Sequence, residues 1–225
     1  MTVPSKLTPS GGAPHLPLTD YYRDEQARAG FVRDMFDSTA EDYDRMEHIL
    51  GFGTGTWYRG QALERAGLQA GMRVVDVGVG TGLVAREAAR IVGEPSLVTG
   101  VDPSPGMMAN AKVPSGVALV AGSAEAIPFA DAHFDFLSMG YALRHISDLL
   151  VAFREFHRVM KPGGRLVATA WMSCENPDPV AKRHFIDAIT REAQIAGVRP
   201  ESEFRAAAEA AGFVNYQFKD YAPLV

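Results

Sequence analysis

Short apolar runs alternate with amphipathic stretches along most of this chain, and the alternation predicts strands separated by helices. The first run begins at Val74 and is rich in valine, which is typical of a strand buried on both faces of a sheet. The later predicted strands are 97–101, 117–120, 134–139, 165–171 and 214–221. Strands that alternate with helices favour an α/β fold with a doubly wound, mostly parallel sheet. Ligands bind such sheets at the carboxyl ends of the strands.

Apolar residues at helical spacing, with capping residues at their ends, predict the intervening helices. In chain order these are a helix from Asp20 to about Met35, a separate helix after Ser38, and then 56–66, 83–92, 104–111, 147–160, 179–196 and 201–211. Residues 1–19, rich in proline and glycine, are predicted to be a disordered tail. Residues 20–225 are predicted to form one domain, with a helical lid at 20–70 and the α/β core at 71–225.

Three glycines at alternate positions follow the first strand and mark a tight turn into a helix. The residues of this motif are Asp76, Gly78, Gly80, Thr81 and Gly82. Glycine lets the backbone approach a ligand closely and adopt a positive φ. Asp102 ends the next strand, twenty residues beyond Gly82, where a carboxylate can accept hydrogen bonds from a ribose diol. The pattern predicts a nucleotide-type ligand, and a tight turn that binds nothing is the alternative.

The glycine spacing resembles the nucleotide loop of class I S-adenosylmethionine-dependent methyltransferases. A dinucleotide-binding loop needs its third glycine at position 83, where this chain has Leu83. The resemblance implies a Rossmann-like fold and S-adenosyl-L-methionine as cofactor, with S-adenosyl-L-homocysteine as product. The residues expected to hold the cofactor are Asp76, Gly78, Gly80, Thr81, Gly82, Asp102, Pro103, Met107, Ser123, Ala124, Met139 and Tyr43. For Met107, a place in the core beside the adenine is the alternative interpretation.

The segment after the third predicted strand resembles the adenine-binding turn of these methyltransferases. It runs Ala-Gly-Ser-Ala-Glu-Ala-Ile-Pro-Phe from residue 121, and Ser123 and Ala124 offer contacts to the edge of an adenine. The family more often has Asp or Asn at the position of Ser123, which leaves a side-chain bond to the adenine amine open. An ordinary surface loop is the alternative.

Two further segments resemble the ubiquinone/menaquinone-biosynthesis C-methyltransferase family. After the fourth predicted strand, residues 141–145 (Tyr-Ala-Leu-Arg-His) resemble the family's Phe-Gly-Leu-Arg-Asn, at the position facing the transferred methyl group. Residues 35–44 resemble the family's opening signature, in which the tyrosine corresponding to Tyr43 lies over the cofactor. The polar-Pro-Pro-aromatic tetrad of nucleic-acid and glutamine amino-methyltransferases is absent. The resemblance covers about residues 31–171 and implies methylation of a quinol or phenolic ring carbon.

The expected catalytic residues are His145, Arg144 and Tyr43. The ordinary pKa of histidine lies near neutrality, so His145 is predicted to be the base that deprotonates a ring hydroxyl. Arg144 is expected to stabilise the developing phenolate or to orient a water, and Tyr43 to shape the site around the sulfonium. Two alternatives stay open, in which His145 only caps the helix that begins at Ser147 and Arg144 is only an ion-pair partner.

Composition and charge narrow the functional classes. A net charge of −5 gives no broad basic surface for nucleic acid. The single cysteine, Cys174, excludes an intramolecular disulfide and favours a cytoplasmic chain, and the scattered histidines predict no metal site. No run is long enough for a transmembrane helix, and the first residues lack the features of a secretory signal. The expected partner is a small-molecule acceptor, and a peripheral membrane contact and a homo-oligomer both stay open.

Several alternatives remain at this point. The chain can instead methylate oxygen or nitrogen of another metabolite or lipid headgroup, or bind the cofactor without catalysis. The acidic excess in residues 20–47 is either a solvated helical surface or a lid whose negative field attracts the sulfonium. The segment after Trp171 is shorter than in the family, which predicts a more open acceptor pocket. The chain also lacks an obvious last strand for the family's terminal hairpin, which predicts a sheet edge that a partner subunit covers or that a truncated chain leaves open.

Overall fold

Five strands lie at the centre of the chain, whose computed structural model describes residues 22–50, 55–187, 190 and 198–220. They are β1 (Val74–Val77), β2 (Val98–Asp102), β3 (Ala118–Ala121), β4 (Phe134–Gly140) and β5 (Met160–Thr169). The strands form one sheet in the order β3-β2-β1-β4-β5, and every neighbouring pair is parallel. In this register Asp76 of β1 lies between Gly100 of β2 and Ser138 of β4. The carboxyl ends of all five strands therefore share one edge.

Helices precede, connect and follow these strands. They are α1 (Glu25–Leu50), α2 (Gly55–Arg65), α3 (Leu83–Val92), α4 (Pro105–Ala109), α5 (Leu149–Val159), α6 (Pro179–Ala181, continued by the π-helical turn Lys182–Ile186) and α7 (Glu201–Ala210). Two short strands, β6 (Met172–Ser173) and β7 (Arg199–Pro200), pair in parallel between β5 and α7. The predicted tail at 1–19 and the second half of the predicted helix 179–196 fall almost entirely outside the described residues.

Successive strand residues point to opposite faces of the sheet, and both faces are apolar. Helices cover both of them. On one face, Val74 and Phe136 are fully buried against α2 and α3. On the other, Val75 and Leu137 are fully buried against α5 and α7. The predicted α/β fold with a doubly wound parallel sheet is therefore confirmed.

α1 runs without a break through Ser38, where the sequence predicts the start of a separate helix. The Ser38 hydroxyl donates to the carbonyl of Met35 over 2.8 Å, and the Thr39 hydroxyl donates to the same carbonyl over 3.1 Å. Both hydroxyls thus bond back to the preceding turn instead of capping a new helix. No glycine or proline lies between Phe31 and Leu50 to stop the helix. The prediction of two helices is wrong for this reason.

The segment after α7 contradicts the predicted strand at 214–221. Residues 214–220 contain no strand, and Asn215 has a φ of 58°, which interrupts an extended backbone. The Tyr216 ring turns instead onto α7, where the Arg205 guanidinium lies 4.5 Å from the ring centroid. Val214 and Phe218, which alternate with Tyr216, are 80% and 46% exposed, and β5 has no second neighbour among the described residues.

Candidate active site

The loop after β1 carries main chain to the carboxyl edge of the sheet with no room for side chains. All three of its glycines have a positive φ, between 53° and 85°. A Cβ on Gly82 would lie 2.4 Å from Val113 Cγ1, and a Cβ on Gly78 would lie 2.8 Å from Ala142 Cβ. Thr81, predicted with them, is buried in the same turn. The positive φ and the close approach of Ala142 and Val113 together require glycine at these positions.

Asp102 lies beside this loop at the end of β2. Its Oδ2 accepts a hydrogen bond from the Gly80 amide over 2.8 Å, and its Oδ1 accepts one from the Ser104 amide over 2.8 Å. The residue is only 7% exposed, and burial raises the pKa of its carboxyl although both amide bonds act to lower it. A carboxylate offers about four lone-pair positions, so Asp102 keeps acceptors for a ribose diol. Pro103, the next residue, is exposed at the edge.

Asp76 lies beneath the loop and is buried. It is 1% exposed, and it accepts a hydrogen bond from the Ser138 hydroxyl of β4 over 2.7 Å. Burial raises the pKa of Asp76 to about 7, although hydrogen bonds from Ser138 and from the Ala85 amide act in the opposite direction. Asp76 therefore joins β1, β4 and α3 under the predicted cofactor site.

The predicted adenine turn lies next to Asp102. The amide of Gly122, which follows β3, donates to the Asp102 carbonyl over 3.2 Å. Ser123 begins a tight turn closed by an isolated antiparallel bridge, and Ala124 inside that turn is 8% exposed. The structure thus brings Ser123 and Ala124 to the same edge as the glycine loop and Asp102.

Two buried methionines flank the glycine loop. Met107 Cε lies 3.2 Å from the position that a Cβ on Gly80 would take, and Met139 Cε lies 4.0 Å from that of a Cβ on Gly78. Met107 and Met139 are 4% and 2% exposed. Their burial agrees with a core role, and their contacts with the loop agree with a place in the wall of the site.

α1 reaches the loop after β2 through Asp37, a residue to which the sequence analysis assigns no role. Asp37 Oδ1 accepts hydrogen bonds from the Ser104 hydroxyl over 2.5 Å and from the Gly106 amide over 2.7 Å. The bond from Ser104 and then that from Gly106 lower the pKa of Asp37. The only sequence signal for this contact is that Asp37 lies within the segment 35–44. Tyr43 lies further along α1, and its side chain is outside the described part.

His145 ends a 3₁₀ turn after β4 and is covered by α1. The Phe36 ring lies edge-on to the imidazole, with 5.1 Å between ring centroids and an angle of 79° between the planes. Both ring nitrogens are buried, and neither has a hydrogen-bond partner among the described residues. Burial, followed by the charges of Arg144 and Arg28, lowers the pKa of His145 to about 3. The imidazole of His145 therefore carries no charge at neutral pH, unlike the near-neutral base that the sequence predicts.

The alternative role of His145 as a helix cap is wrong. α5 is capped by Asp148, whose Oδ1 accepts a hydrogen bond from the Val151 amide over 3.0 Å. His145 lies three residues earlier, with its ring turned under α1. The buried position of the His145 ring is therefore not a consequence of capping α5.

Arg144 lies at the mouth of the site and contacts residues from two strand ends. Its guanidinium donates to the carbonyl of Tyr141 and lies 4.9 Å from the centroid of the Trp171 ring. Tyr141 has a φ of 58° and is 40% exposed, and Trp171 is 51% exposed. Arg144 thus contacts the Tyr141 carbonyl and the exposed Trp171 ring where the sequence predicts the methyl acceptor.

A cleft opens between α2 and the carboxyl ends of β4 and β5. Its walls include Tyr58, Arg59, Val84, Met139, Tyr141 and Thr169. Arg59 is a cation on an otherwise mostly apolar wall, and its charge acts to lower the pKa of Asp76. The sequence analysis assigns Arg59 no role, since a charged residue on a predicted helix usually faces solvent.

The ubiE/COQ5 methyltransferase family matches residues 22–181 of this chain. The chain belongs to this family. The demethylmenaquinone methyltransferase of Chlorobaculum parvum is 38% identical over 179 residues, which are 77% of this chain and 73% of that protein. The ubiquinone/menaquinone biosynthesis C-methyltransferase of Shewanella frigidimarina is 33% identical over 147 residues, or 62% of this chain. The matched part is 59% of the Shewanella protein, so the chain spans about three fifths of that relative's length.

A solved methyltransferase shares the fold of this ubiE/COQ5 family member. Haemonchus contortus phosphoethanolamine N-methyltransferase 2, in complex with phosphomonomethylethanolamine and S-adenosylhomocysteine, has a TM-score of 0.70 and 25% identity. The likeness covers 85% of this chain and 47% of that protein. The predicted methyltransferase class and the predicted S-adenosylmethionine cofactor are confirmed by these matches.

The described residues of this family member contain neither a membrane-spanning helix nor a metal-binding group of side chains. No helix there combines the length and the apolar character that crossing a bilayer requires. No three histidine, cysteine, aspartate or glutamate side chains there form a group that is able to hold a metal ion.

Proposed function

We propose that this member of the ubiE/COQ5 family methylates a ring carbon of a small quinol or phenol. One observation carries the proposal: the turn with Arg144 and His145 follows β4 directly beside the glycine loop. Ala142 Cβ lies only 2.8 Å from the position that a Cβ on Gly78 would take. The names of the Chlorobaculum and Shewanella relatives support a quinone-type acceptor.

The residues at the edge of the sheet fit the cofactor. Positive φ at Gly78, Gly80 and Gly82 folds the loop tightly at this edge, where its main chain would meet the methionine part, and Asp102 keeps acceptors for the ribose. The turn at Ser123 and Ala124 would meet the adenine edge. The remaining predicted contacts are Asp76, Gly80, Thr81, Pro103, Met107, Met139 and Tyr43, of which Asp76 acts from beneath the loop.

When bound, S-adenosylmethionine supplies a methyl group activated by its sulfonium. The chain must make the acceptor nucleophilic, hold it in line and keep water out. Arg144 keeps its charge at any relevant pH and stabilises a phenolate oxygen. The neutral imidazole of His145 is buried under α1 and would act on the acceptor through the turn that it shares with Arg144. Because the pKa of His145 is about 3, the hydroxyl proton would pass to solvent water, and Arg144 would favour its loss by stabilising the phenolate left behind.

The proposal is tested with purified protein, trideuteromethyl-labelled cofactor and a panel of acceptors. The panel holds a short-chain demethylmenaquinol, a catechol and phosphoethanolamine, and mass spectrometry with NMR locates the label. A label on a ring carbon supports the proposal, whereas a label on oxygen or nitrogen replaces it with the alternative methylation. Cofactor binding by calorimetry without any labelled product would instead indicate a module that does not catalyse.

We also propose the setting in which the chain works. Its only cysteine, Cys174, is an exposed free thiol, which supports a reducing compartment such as the cytoplasm. A lipophilic acceptor would be met by peripheral contact with a membrane, and the side of β5 that pairs with no described strand would suit a second copy of the chain. We further propose that the chain divides into a helical lid at 20–70 and an α/β core at 71–225.

A further inference from the structure

α1 touches the loops on both sides of the glycine loop through two charged side chains. Arg28 and Asp37 are nine residues apart, which corresponds to roughly 13 Å along a helix. β2 and β4 flank β1, so their ends lie about 10 Å apart in the sheet. One helix is therefore able to reach both loops at once. Residues 28–37, here called the strap, cross the carboxyl edge of the sheet at the glycine loop.

The Asp37 end of the strap is fastened to the loop after β2. Besides its bonds to the Ser104 hydroxyl and the Gly106 amide, Asp37 brings its backbone against α4. A Cβ on Gly106 would lie 2.9 Å from Asp37 Cα and 2.7 Å from Asp37 Oδ1. The approach therefore depends on a glycine at position 106. Ser104 also donates its amide to Asp102, so this end of the strap contacts the predicted ribose site.

The Arg28 end is fastened to the turn after β4. Arg28 is 4% exposed, and its guanidinium donates to the Ser147 hydroxyl over 2.8 Å and to the His145 carbonyl over 3.1 Å. Arg199 of β7 donates to the next carbonyls, that of Ser147 over 2.7 Å and that of Ile146 over 3.4 Å. Two arginines from distant parts of the chain thus hold three successive carbonyls of this turn.

A buried cation requires good hydrogen-bond partners, because removing a guanidinium from water is costly. Arg28 takes its partners from the turn that carries His145, and Phe36 of the strap covers the imidazole of the same residue. We infer that Arg28 is a positioning residue that holds Arg144 and His145 toward the methyl acceptor, while Asp37 at the other end of the strap positions the cofactor side. The role of the turn in this inference rests on the proposed function, whereas the contacts of Arg28 and Asp37 are independent of it.

The Arg28 end is tested with Arg28→Met, with Arg28→Lys as the conservative variant and Arg33→Met as the matched control. Arg33 lies on the same helix but its side chain is 49% exposed. In Arg28→Met, amide exchange measured by mass spectrometry over residues 143–148 should rise at least about tenfold, and kcat should fall at least about tenfold. The dissociation constant of S-adenosylhomocysteine should change less than about threefold. Arg28→Lys should recover part of both losses, and Arg33→Met should change neither quantity.

The Asp37 end is tested with Asp37→Asn and Gly106→Ala. Alanine favours helix formation within α4, so Gly106→Ala opposes the strap by its Cβ contact without weakening α4 itself. Both variants should weaken S-adenosylhomocysteine binding about tenfold and leave amide exchange over residues 143–148 within about twofold of the unaltered chain. This is the reverse of the pattern expected for Arg28→Met.

Equal losses of kcat and cofactor affinity at the two ends would overturn the inference, and so would an Arg33→Met variant that behaves like Arg28→Met. If Arg28→Met does not fold, Ser147→Ala removes one of its bonds from the opposite side and should raise exchange over the same residues. The exchange and binding measurements need no acceptor. If the chain methylates none of the acceptors but shows the expected exchange pattern, the proposed function is refuted. The inference that the strap positions the two loops still holds in that case.

Discussion

Asp102 Oδ2 accepts a hydrogen bond from the Gly80 amide over 2.8 Å, which joins the end of β2 to the glycine loop of β1. The same carboxylate accepts the Ser104 amide, and Ser104 is in turn held by Asp37 of α1. One buried side chain therefore links the loop, the predicted ribose site and the helix that crosses them. Cofactor affinity and the order of the loop should depend on it together.

Replacing Asp102 by alanine should weaken the binding of S-adenosylhomocysteine. The variant loses an acceptor for the ribose and frees the Gly80 amide, and hydrogen bonds to a charged group contribute about 1.5–3 kcal/mol. Calorimetric titration should show a dissociation constant roughly 10- to 100-fold higher, in line with that range. Asp131→Asn is the control, because Asp131 is an exposed ion-pair partner of Arg158 before β4. Unchanged affinity in Asp102→Ala would place the ribose elsewhere.

Alanine variants of two glycines with similar φ distinguish the cost of backbone strain from the cost of a steric clash. Gly82 and Gly71 have φ of 85° and 78°, but a Cβ on Gly82 would lie 2.4 Å from Val113 Cγ1 whereas one on Gly71 meets nothing within 4 Å. Gly71→Ala should lower the free energy of unfolding by about 1–2 kcal/mol, the cost of a left-handed conformation. Gly82→Ala should lower it further and abolish cofactor binding, as urea denaturation and titration will show. Equal destabilisation in both variants would mean that Val113 moves aside freely.

The sequence predicts the central sheet well because each strand and helix there obeys a local pattern. Valines from position 74, alternate glycines and the cap at Asp148 lead to β1, its loop and α5 almost at the predicted bounds. Prediction fails where contacts in the folded chain, and not the local sequence pattern, determine the local structure. Ser38 looks like a cap but bonds back to its own helix, and Tyr216 lies in an apolar alternation typical of a strand but turns its ring onto α7.

The candidate site is also predicted only in part, because the motif fixes some of its residues and the packed fold fixes the others. Gly82 and Asp102 lie where the motif places them, because strand order and a tight turn suffice to fix them. Arg28 and Asp37 are missed, because charges on a helix normally face solvent and only the packed fold shows their partners. The environment of His145 is missed for a related reason. Its ordinary pKa follows from its chemistry, whereas the burial that lowers this pKa to about 3 follows from α1.

Asp76 should make the folded state less stable as the pH rises. Its pKa of about 7 in the folded chain exceeds the ordinary 3.8, so between these values the folded chain holds a proton that the unfolded chain has released. The resulting stabilisation is complete below pH 3.8 and is lost as the pH approaches 7. Asp76→Asn should remove this loss when free energies of unfolding from urea titrations are compared across the range. Ser138→Ala should move the loss to higher pH, because the Ser138 bond lowers the pKa of Asp76.

His145 should have the opposite effect on stability. Its pKa of about 3 in the folded chain lies below the ordinary 6.5, so between these values the unfolded chain binds a proton that the folded chain does not. The free energy of unfolding should therefore fall as the pH drops from 6.5 toward 3. His145→Gln should reduce that fall, and His157→Gln, on the exposed side of α5, is the control. A fall of the same size in both variants would mean that the imidazole is more accessible than its contacts indicate.

The rate of methyl transfer provides the second measurement on His145. Through the turn that it shares with Arg144, the buried imidazole of His145 should raise kcat by about tenfold, which is less than a positioned acid or base contributes. His145→Gln should lose that factor while the dissociation constant of S-adenosylhomocysteine stays within about twofold, because the ring touches the strap and not the glycine loop. Since the pKa of His145 is about 3, kcat of the unaltered chain should show no inflection near pH 6.5. An inflection there that disappears in His145→Gln would show that α1 lifts from His145 during turnover and restores it as a base.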